Sequence, residues 1–301
     1  MALRFGLFGT GHWAAQTQAA ALAEHPRAEL VGVWGRDPVK AGALARRYAV
    51  RAYDDVDRLL ADVDAIAVAL PPDVQAELAE RAADAGKHLL LDKPLALDLA
   101  AADRVVAAAA RRGVASVVFF TNRFYANVEA FLRATAEAGE WDGARVTMFA
   151  SIFQPGNPYG ASPWRRERGG LWDIGPHALS VVLPVLGPVE RVAAVDGPHD
   201  TVYLTARHAS GSVSSMALTL DAPPAAASAE LVFYGAGGLA PLPAGEGSLV
   251  GAFGVAIDQL VANAVSGVNG HPCDVVFARD IVAILEAADR ARRTGCTEAP
   301  R

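Results

Sequence analysis

Cysteine is scarce in this sequence, and the histidines follow no metal-binding spacing. Cys273 and Cys296 are the only two cysteines and lie far apart along the chain. We therefore expect reduced thiols in a cytoplasmic protein rather than a disulfide or a metal site. Because the 7 histidines show none of the spacings typical of zinc motifs, we predict no bound metal.

Basic clusters and long apolar runs are also missing. The 27 Lys and Arg residues stand against 33 Asp and Glu residues, giving a net charge of -6 without a basic run. This balance argues against nucleic acid as a partner. No uninterrupted apolar segment approaches the ~18 residues that cross a membrane, and the first residues do not resemble a secretion signal. We expect neither nucleic-acid binding nor membrane association.

The overall amino-acid composition is that of a globular protein. Hydrophobic residues make up 52% of the chain and charged residues 20%, which is enough apolar material for a substantial core. A length of 301 residues suits two domains or one large one.

The stretch from Leu3 to Ala14 carries the first functional pattern. A short apolar run ends at a turn with glycines at 9 and 11 and alanine at 14, and an alanine-rich segment follows. This order predicts strand, tight turn and helix, in which Gly9 permits the turn and Gly11 has no Cβ to block a pyrophosphate. The unpaired amides at the helix start would bind phosphate. A pattern this short also arises by chance, so its context decides. The predicted cofactor-binding residues here are Gly9, Thr10, Gly11, His12 and Trp13.

The next predicted strand, from Ala28 to Arg36, bears on the choice of cofactor. In NAD sites a carboxylate at the strand tip accepts hydrogen bonds from the ribose 2′-hydroxyl, whereas a nearby arginine accommodates a 2′-phosphate. This chain has Arg36 at the tip and Lys40 one helical turn further on. Asp37 precedes Pro38, where a helix N-cap is its natural role. These residues favour NADP, with NAD possible; the alternative is that Arg36 is a solvated loop charge.

Strands and helices alternate over the first 121 residues. The apolar runs and turn signals predict helices over 38–48, 54–61, 74–85 and 98–112, and strands over 65–70, 88–91 and 114–120. Such alternation predicts a Rossmann-type, doubly wound parallel sheet in a nucleotide-binding domain spanning 1–121. Gly9, Arg36, Pro71 and Lys93 all follow strand ends, so we expect them at one edge of that sheet.

From residue 122 the pattern becomes that of an α+β domain with a largely antiparallel, open sheet. We predict a helix over 127–138 and strands over 145–153, 201–208, 213–220 and 230–234, the second and third forming a hairpin. The segment 235–254 is rich in glycine and proline and predicts loop and edge structure. A final helix over 274–293 is predicted to pack on the nucleotide domain. The predicted second domain is therefore 122–272, with 273–301 as the returning helix.

Two positions carry titratable side chains that would be unusual in a hydrophobic core. Lys93 follows a very apolar strand and would face the ligand crevice; the alternative is a surface lysine in a loop. Asp173 is predicted to be the N-cap of a helix with Pro176 in its first turn. His177 would then lie four residues on, on the same helical face. A carboxylate beside an imidazole can handle protons, although a cap beside a structural histidine is the alternative.

These residues resemble the Gfo/Idh/MocA family, named for glucose-fructose oxidoreductase, inositol dehydrogenase and a rhizopine catabolism protein. The resemblance implies an oxidoreductase in which Lys93 matches the family's E-K-P lysine, and Asp173 and His177 match its D-x-x-x-H pair. The motifs that carry the resemblance are Gly9-x-Gly11-x-x-Ala14, Pro71-Pro72, Ala85-Gly86-Lys87-His88 before Asp92-Lys93-Pro94, Asn122-Arg123-Phe124, Trp164-Arg165 and Gly169-Gly170 with Asp173-x-Gly175-x-His177. The residues implied to line the nicotinamide side are Leu70, Pro71, Asp92, Asn122, Trp164 and Arg165.

The chain also departs from the family pattern. Asp92 stands where the family usually has Glu, and Gln75, which we include among the predicted cofactor-binding residues, stands where it commonly has His. The segment between Phe153 and Trp164 is short and rich in glycine and proline. These departures put the identity of the substrate in doubt.

The expected activity is hydride transfer between NADP and a secondary alcohol of a sugar, a cyclitol or a related polyol. We expect His177 to act as general acid/base and Lys93 to stabilise alkoxide charge. Asp173 would orient His177 or hold a second hydroxyl. The alternatives are a non-catalytic NADP-binding sensor and a redox-neutral, NAD-dependent glycosidase, against which Arg36 speaks. The resemblance also implies a homodimer or tetramer formed through the C-terminal sheet.

Overall fold

The structure is a computed structural model that describes residues 2–267 and 271–301. The chain forms two compact units. The first comprises the residues up to Phe124 together with Gly247–Arg279, and the second comprises Tyr125–Glu246 together with Asp280–Arg301. Each unit is described by itself below.

The first unit contains a parallel sheet of six strands. Their order is β3-β2-β1-β4-β5-β6, the doubly wound order of dinucleotide-binding folds, which confirms the predicted Rossmann-type sheet. Every residue of β4 and of β6 is buried, as expected for strands covered on both faces. The strands are β1 (Leu3–Phe8), β2 (Ala28–Trp34), β3 (Arg51–Tyr53), β4 (Ala65–Val68), β5 (His88–Asp92) and β6 (Ser116–Phe119).

Three of the connecting helices begin at aspartate side-chain caps. Asp37, Asp55 and Asp98 each accept a hydrogen bond from an amide of the first turn, which satisfies a donor that the helix leaves unpaired. The predicted first helix is part π-helical, over Ala14–Gln18. The α-helices of this part are α1 (Ala19–Glu24), α2 (Pro38–Arg47), α3 (Val56–Asp62), α4 (Pro72–Asp84) and α5 (Leu99–Arg112).

The second unit contains a mixed, mostly antiparallel sheet. The strand order is β12-β11-β7-β10-β9-β8, and only the β7–β10 pair is parallel. The predicted hairpin is confirmed, since β9 and β10 pair in antiparallel fashion with Val213 opposite Arg207. The elements are α6 (Ala126–Ala138), β7 (Trp141–Phe149), α7 (Pro163–Asp173), α8 (Gly175–Leu186), β8 (Val189–Asp196), β9 (Val202–His208), β10 (Val213–Thr219), β11 (Ser228–Gly235) and β12 (Gly238–Pro241).

One long helix, α9 (Leu249–Ser266), corrects the prediction for 235–254. The edge strand β12 is there, but a helix capped by Ser248 follows it. Although 249–266 was assigned to the second domain, α9 packs on β5 and β6 of the first unit. Among the described helices, α9 has the length and apolar composition to cross a membrane. However, Phe253, Ile257 and Leu260 are fully buried, as in the core helix of a globular unit.

The last helix, α10 (Val275–Thr294), was predicted to pack on the nucleotide domain, and its residues divide between the two units. Residues from Asp280 onward belong to the second unit. There the Trp172 indole donates a hydrogen bond to Asp289 at 2.7 Å, and Arg292 pairs with Asp196 at 2.7 Å. Apolar periodicity identifies a buried face but does not name its neighbour, so the sequence did not predict this division.

Candidate functional site

The glycine turn after β1 has the geometry that a phosphate-binding turn needs. Gly9 has φ +137°, and a Cβ there would lie 2.4 Å from the Ala69 carbonyl oxygen, so only glycine fits. At Gly11 a Cβ would meet no described atom within 4 Å, so the main chain is open to a ligand on that side. Ala14 is fully buried, as close packing of the helix on the strand requires.

The beginning of the first helix leaves one buried donor available. The Trp13 indole nitrogen is buried and has no hydrogen-bond partner among the described residues. Its ring lies 6.3 Å from that of Phe119, between centroids. A buried N–H of this kind is uncommon and calls for an explanation, and a bound acceptor such as a cofactor oxygen would provide one. The residues present therefore fit a dinucleotide.

The tip of β2 carries positive charge, and the carboxylate beside it, Asp37, caps the helix that follows. Asp37 Oδ1 accepts hydrogen bonds from the amides of Val39 and Lys40, at 2.9 and 3.1 Å, which confirms its predicted capping role. The Arg36 and Lys40 side chains are exposed. Gly35 lies against the glycine turn, because a Cβ on it would come within 2.5 Å of Thr10 Cγ2.

Three further predicted residues follow the carboxyl ends of central strands in the same unit. Leu70 and Pro71 come after β4, and Asn122 lies in a 3₁₀ turn, Thr121–Phe124, after β6. All three are half-buried. Because the strands of this sheet are parallel, these residues lie at the same edge as Gly9 and Arg36, where ligands bind in open α/β sheets.

Lys93 lies in a tight turn after β5, and the Gln75 side chain hydrogen-bonds to the main chain of this turn. The Lys93–Pro94 peptide bond is cis, and the Lys93 amide donates to Asp92 Oδ1 at 2.8 Å. Gln75 Nε2 donates to the carbonyls of Asp92 and Pro94 at 2.7 and 3.0 Å, and Gln75 Oε1 accepts from the Asp92 amide at 2.9 Å. Gln75, predicted to bind cofactor, is 1% exposed; its amide binds this turn instead.

The junction of α7 and α8 in the second unit corrects the predicted role of Asp173. Asp173 is the last residue of α7, and α8 begins at Gly175 after the N-cap Ile174. Asp173 is therefore not an N-cap, although Pro176 does lie in the first turn of α8 as predicted. His177 belongs to α8 and is half-buried. The two residues flank a helix junction instead of sharing one uninterrupted helix.

Asp173 forms an ion pair with a residue that the sequence assigned to the cofactor. Arg165 Nε lies 3.0 Å from Asp173 Oδ2, and Asp173 is 7% exposed. The guanidinium also lies over the Trp164 and Tyr159 rings, at 4.7 and 5.2 Å from their centroids. Trp164, Arg165 and Asp173 thus form one cluster in the second unit, and His177 follows it in the first turns of α8.

Sequence reasoning included Gly169 and Gly170 in the family motif but missed Asp200 and the contacts that the two glycines make. Gly169 has φ +63°, and a Cβ there would lie 2.4 Å from Asp200 Oδ2. Burial raises the pKa of the Asp200 carboxyl. A Cβ on Gly170 would come 2.7 Å from the Thr219 Cα. The double glycine therefore lets α7 kink and lie directly on β10, which is a contact in three dimensions that the sequence does not reveal.

Among the described residues, no three His, Cys, Asp or Glu side chains are grouped so that they could hold a metal ion. The first unit is thus a dinucleotide-binding Rossmann unit with a lysine at a strand end. The second unit carries an arginine–carboxylate ion pair at the helix junction that precedes His177.

Comparison with known proteins identifies the family to which this chain belongs. The Gfo/Idh/MocA family model, described as "Oxidoreductase family, NAD-binding Rossmann fold", matches residues 3–120. A dTDP-3,4-didehydro-2,6-dideoxy-alpha-D-glucose 3-reductase of Streptomyces violaceoruber is 33% identical over 67% of this chain and 59% of its own length. A UDP-N-acetylglucosamine 3-dehydrogenase of Acidithiobacillus ferrooxidans is 31% identical over 71% of this chain and 66% of its own. The chain belongs to the Gfo/Idh/MocA family of oxidoreductases.

The fold extends beyond these sequence matches. The WlbA dehydrogenase of Bordetella pertussis, solved in complex with NADH and UDP-GlcNAcA, superposes with a TM-score of 0.84. The superposition covers 99% of each chain at 23% identity, so it supports the fold of both units. The chain spans less than two thirds of the length of the reductase and the dehydrogenase that it matches in sequence.

Proposed function

We propose that this protein is an NAD(P)-dependent oxidoreductase that acts on a CH–OH group of a sugar-type substrate. One observation carries the proposal. A turn fitted to a dinucleotide phosphate and a lysine-bearing turn follow β1 and β5 at the same edge of one parallel sheet. In such sheets the crevice outside the carboxyl ends of the strands is the ligand site.

The substrate class follows from the named relatives. The Streptomyces reductase and the Acidithiobacillus dehydrogenase both act at position 3 of a nucleotide-linked hexose, by their names. We therefore propose a hexose or hexose derivative, in free or nucleotide-linked form, over an unrelated alcohol.

The cofactor residues are proposed from the first unit. The turn Gly9–Trp13 would hold the pyrophosphate, and Leu70, Pro71, Asp92 and Asn122 would line the nicotinamide end. Because Arg36 and Lys40 lie at the tip of β2 while Asp37 is occupied as a cap, we favour NADP over NAD. The bound nicotinamide supplies the hydride or accepts it.

The chain's own groups would handle the proton. Lys93 would place its ammonium at the substrate oxygen and stabilise negative charge there. His177 would accept or donate the hydroxyl proton as general acid/base. Asp173, which is ion-paired with Arg165, would orient the imidazole or bind a second hydroxyl.

The test is a nicotinamide absorbance assay on the purified protein. NADP⁺ and NAD⁺ are each supplied with a panel of UDP- and dTDP-hexoses, free hexoses and inositols. We expect reduction of NADP⁺ with at least one hexose compound and slower reduction of NAD⁺. No turnover with any compound in either direction, by a protein that binds NADPH, would contradict the proposal and support the non-catalytic sensor instead.

A second assay separates the redox-neutral glycosidase. Mild denaturation releases any tightly held cofactor, which is identified as NAD or NADP. A glycosidase of that kind would release NAD and cleave nitrophenyl glycosides without net absorbance change of nicotinamide. We expect neither result, because the cations at the tip of β2 suit a phosphorylated cofactor.

We also propose that the protein is cytoplasmic and pairs with a second copy through the outer face of its second sheet. Along β9, Val202, Leu204 and Ala206 are buried while Tyr203 is 44% exposed, and Val195 on neighbouring β8 is 62% exposed. Exposed apolar side chains on an open sheet face are typical of an interface between subunits. Light scattering should give a dimer or tetramer for the wild type and a smaller species for Val195→Asp/Tyr203→Asp.

A further inference from the structure

Gln75 is buried in α4, and both the nitrogen and the oxygen of its side-chain amide hydrogen-bond to one turn. Nε2 donates to the carbonyls of Asp92 at 2.7 Å and Pro94 at 3.0 Å, with a longer contact to Leu95 at 3.4 Å. Oε1 accepts from the Asp92 amide at 2.9 Å. Lys93 is therefore flanked on both sides by main-chain groups bound to a single side chain.

This arrangement fixes the turn in a particular orientation. Because Gln75 bonds both the N–H and the C=O of Asp92, neither of the peptide planes on its two sides can rotate without losing a hydrogen bond. The Pro94 carbonyl is held by the same nitrogen, and Leu95 beyond it is fully buried. The direction in which the Lys93 side chain leaves the main chain is set by these planes.

We propose that Gln75 is the positioning residue for Lys93. This inference rests on the proposed function, since it assigns Gln75 a role in the reaction that Lys93 would serve. Glutamine suits the role because one side-chain amide offers two donors and an acceptor together. A glutamate would keep the acceptor and lose the donors, a histidine would offer one of each, and a leucine would offer neither.

The test compares isosteric variants of two equally buried glutamines of the first unit. Gln75→Glu removes the donors to the turn, and Gln18→Glu removes the matching donor from Gln18 to the Val68 carbonyl, at 3.0 Å. Gln18 is 0% exposed and Gln75 1%, so both variants bury a carboxyl group. Gln75→His, which keeps one donor and one acceptor, is used if Gln75→Glu does not fold.

The first readout needs no activity. The lysines of this chain are Lys40, Lys87 and Lys93, so reductive methylation with ¹³C-formaldehyde gives a readable NMR spectrum, in which Lys93→Arg assigns the Lys93 signal. We expect the Lys93 resonance to move in Gln75→Glu while those of Lys40 and Lys87 stay. In Gln18→Glu all three should stay.

The second readout is kinetic. With the hexose compound that the wild type turns over, Gln75→Glu should lower kcat about 100-fold, as misplacement of a catalytic group does, with little change in KM for the nicotinamide cofactor. An unmoved Lys93 signal together with a kcat equal to that of Gln18→Glu would overturn the inference and leave the proposed function intact. If the wild type turns over nothing, the proposed function fails, and the Lys93 signal alone decides whether Gln75 positions this lysine.

Discussion

Arg165 and Asp173 form a nearly buried ion pair within the second unit, with Nε and Oδ2 3.0 Å apart. Because Asp173 is 7% exposed, removal of its partner leaves a carboxylate with poor access to water. We expect Arg165→Met to lower the free energy of unfolding by about 1–3 kcal/mol, measured by urea denaturation. Arg165→Met/Asp173→Asn should recover part of this loss. Additive losses in the double variant would show that the pair contributes no coupling energy.

Lys93, which follows β5, offers the sharpest test of the reaction, because a second lysine lies just before the same strand. Lys87 precedes β5 and donates to the Val63 carbonyl at 2.9 Å. We expect Lys93→Met to lower kcat by about 10²- to 10⁴-fold while NADPH fluorescence still reports binding. Lys87→Met should keep its turnover. Full turnover by Lys93→Met would remove this lysine from the mechanism.

The cations at the tip of β2 should determine cofactor preference. Arg36→Ala is expected to weaken NADPH binding by about 10- to 100-fold, because a charged hydrogen bond to the 2′-phosphate is lost. NADH binding should change little. Arg46→Ala, which removes an exposed arginine from the end of α2, is the control for net charge. Equal losses for NADPH and NADH in Arg36→Ala would place this side chain away from the ribose.

The contact between Gly35 and Thr10 should block the simplest route to NAD preference. An aspartate at 35 would supply the carboxylate that binds a 2′-hydroxyl, but its Cβ would lie 2.5 Å from Thr10 Cγ2. We therefore expect Gly35→Asp to weaken binding of both cofactors. Thr10→Gly/Gly35→Asp should restore NADH binding and leave NADPH binding weak. Tight NADH binding by Gly35→Asp alone would show that the turn yields easily.

His208 should make the fold less stable in mild acid. Its Nδ1 bonds the Gly187 carbonyl at 2.7 Å and its Nε2 receives the Ser214 hydroxyl at 2.9 Å. Burial lowers the pKa of the imidazole, and the bond to Gly187 opposes this shift. The folded state therefore binds a proton less readily than the unfolded chain, in which the pKa of histidine is about 6.5. Stability should therefore fall as pH drops below that value, by at most about 1.4 kcal/mol per pH unit for this group.

The measurement is urea denaturation of wild type and His208→Asn across this pH range. The variant should lose part of the slope, while His199→Asn, at an exposed position, should keep it. His88 contributes in the same direction, since burial also lowers its pKa, and some slope will remain in His208→Asn. An identical slope in wild type and His208→Asn would mean that this imidazole is not buried in its neutral form.

Local patterns were sufficient to predict the strands of the parallel sheet, the Asp37 cap and the β9–β10 hairpin. Each depends on residues close together in sequence: an apolar run ended by turn residues, an aspartate before a proline, or alternating strands around a four-residue turn. The physical cause acts over a few residues, so the sequence reveals it directly.

The supports of the candidate site depended on contacts between distant segments. The sequence around Gln75 does not indicate that its amide binds a turn 17 residues further on. The sequences of α9 and α10 do not specify which unit their apolar faces cover. Asp173 fits an N-cap by sequence, yet packing of Gly170 on β10 and the ion pair with Arg165 place it at the end of α7. The sequence by itself determined which elements form, because short-range sterics and hydrogen bonding decide that. Only the tertiary structure decided which elements pack together, because an apolar face is stabilised by packing on any complementary surface. The order of the elements along the chain does not say which surface that is.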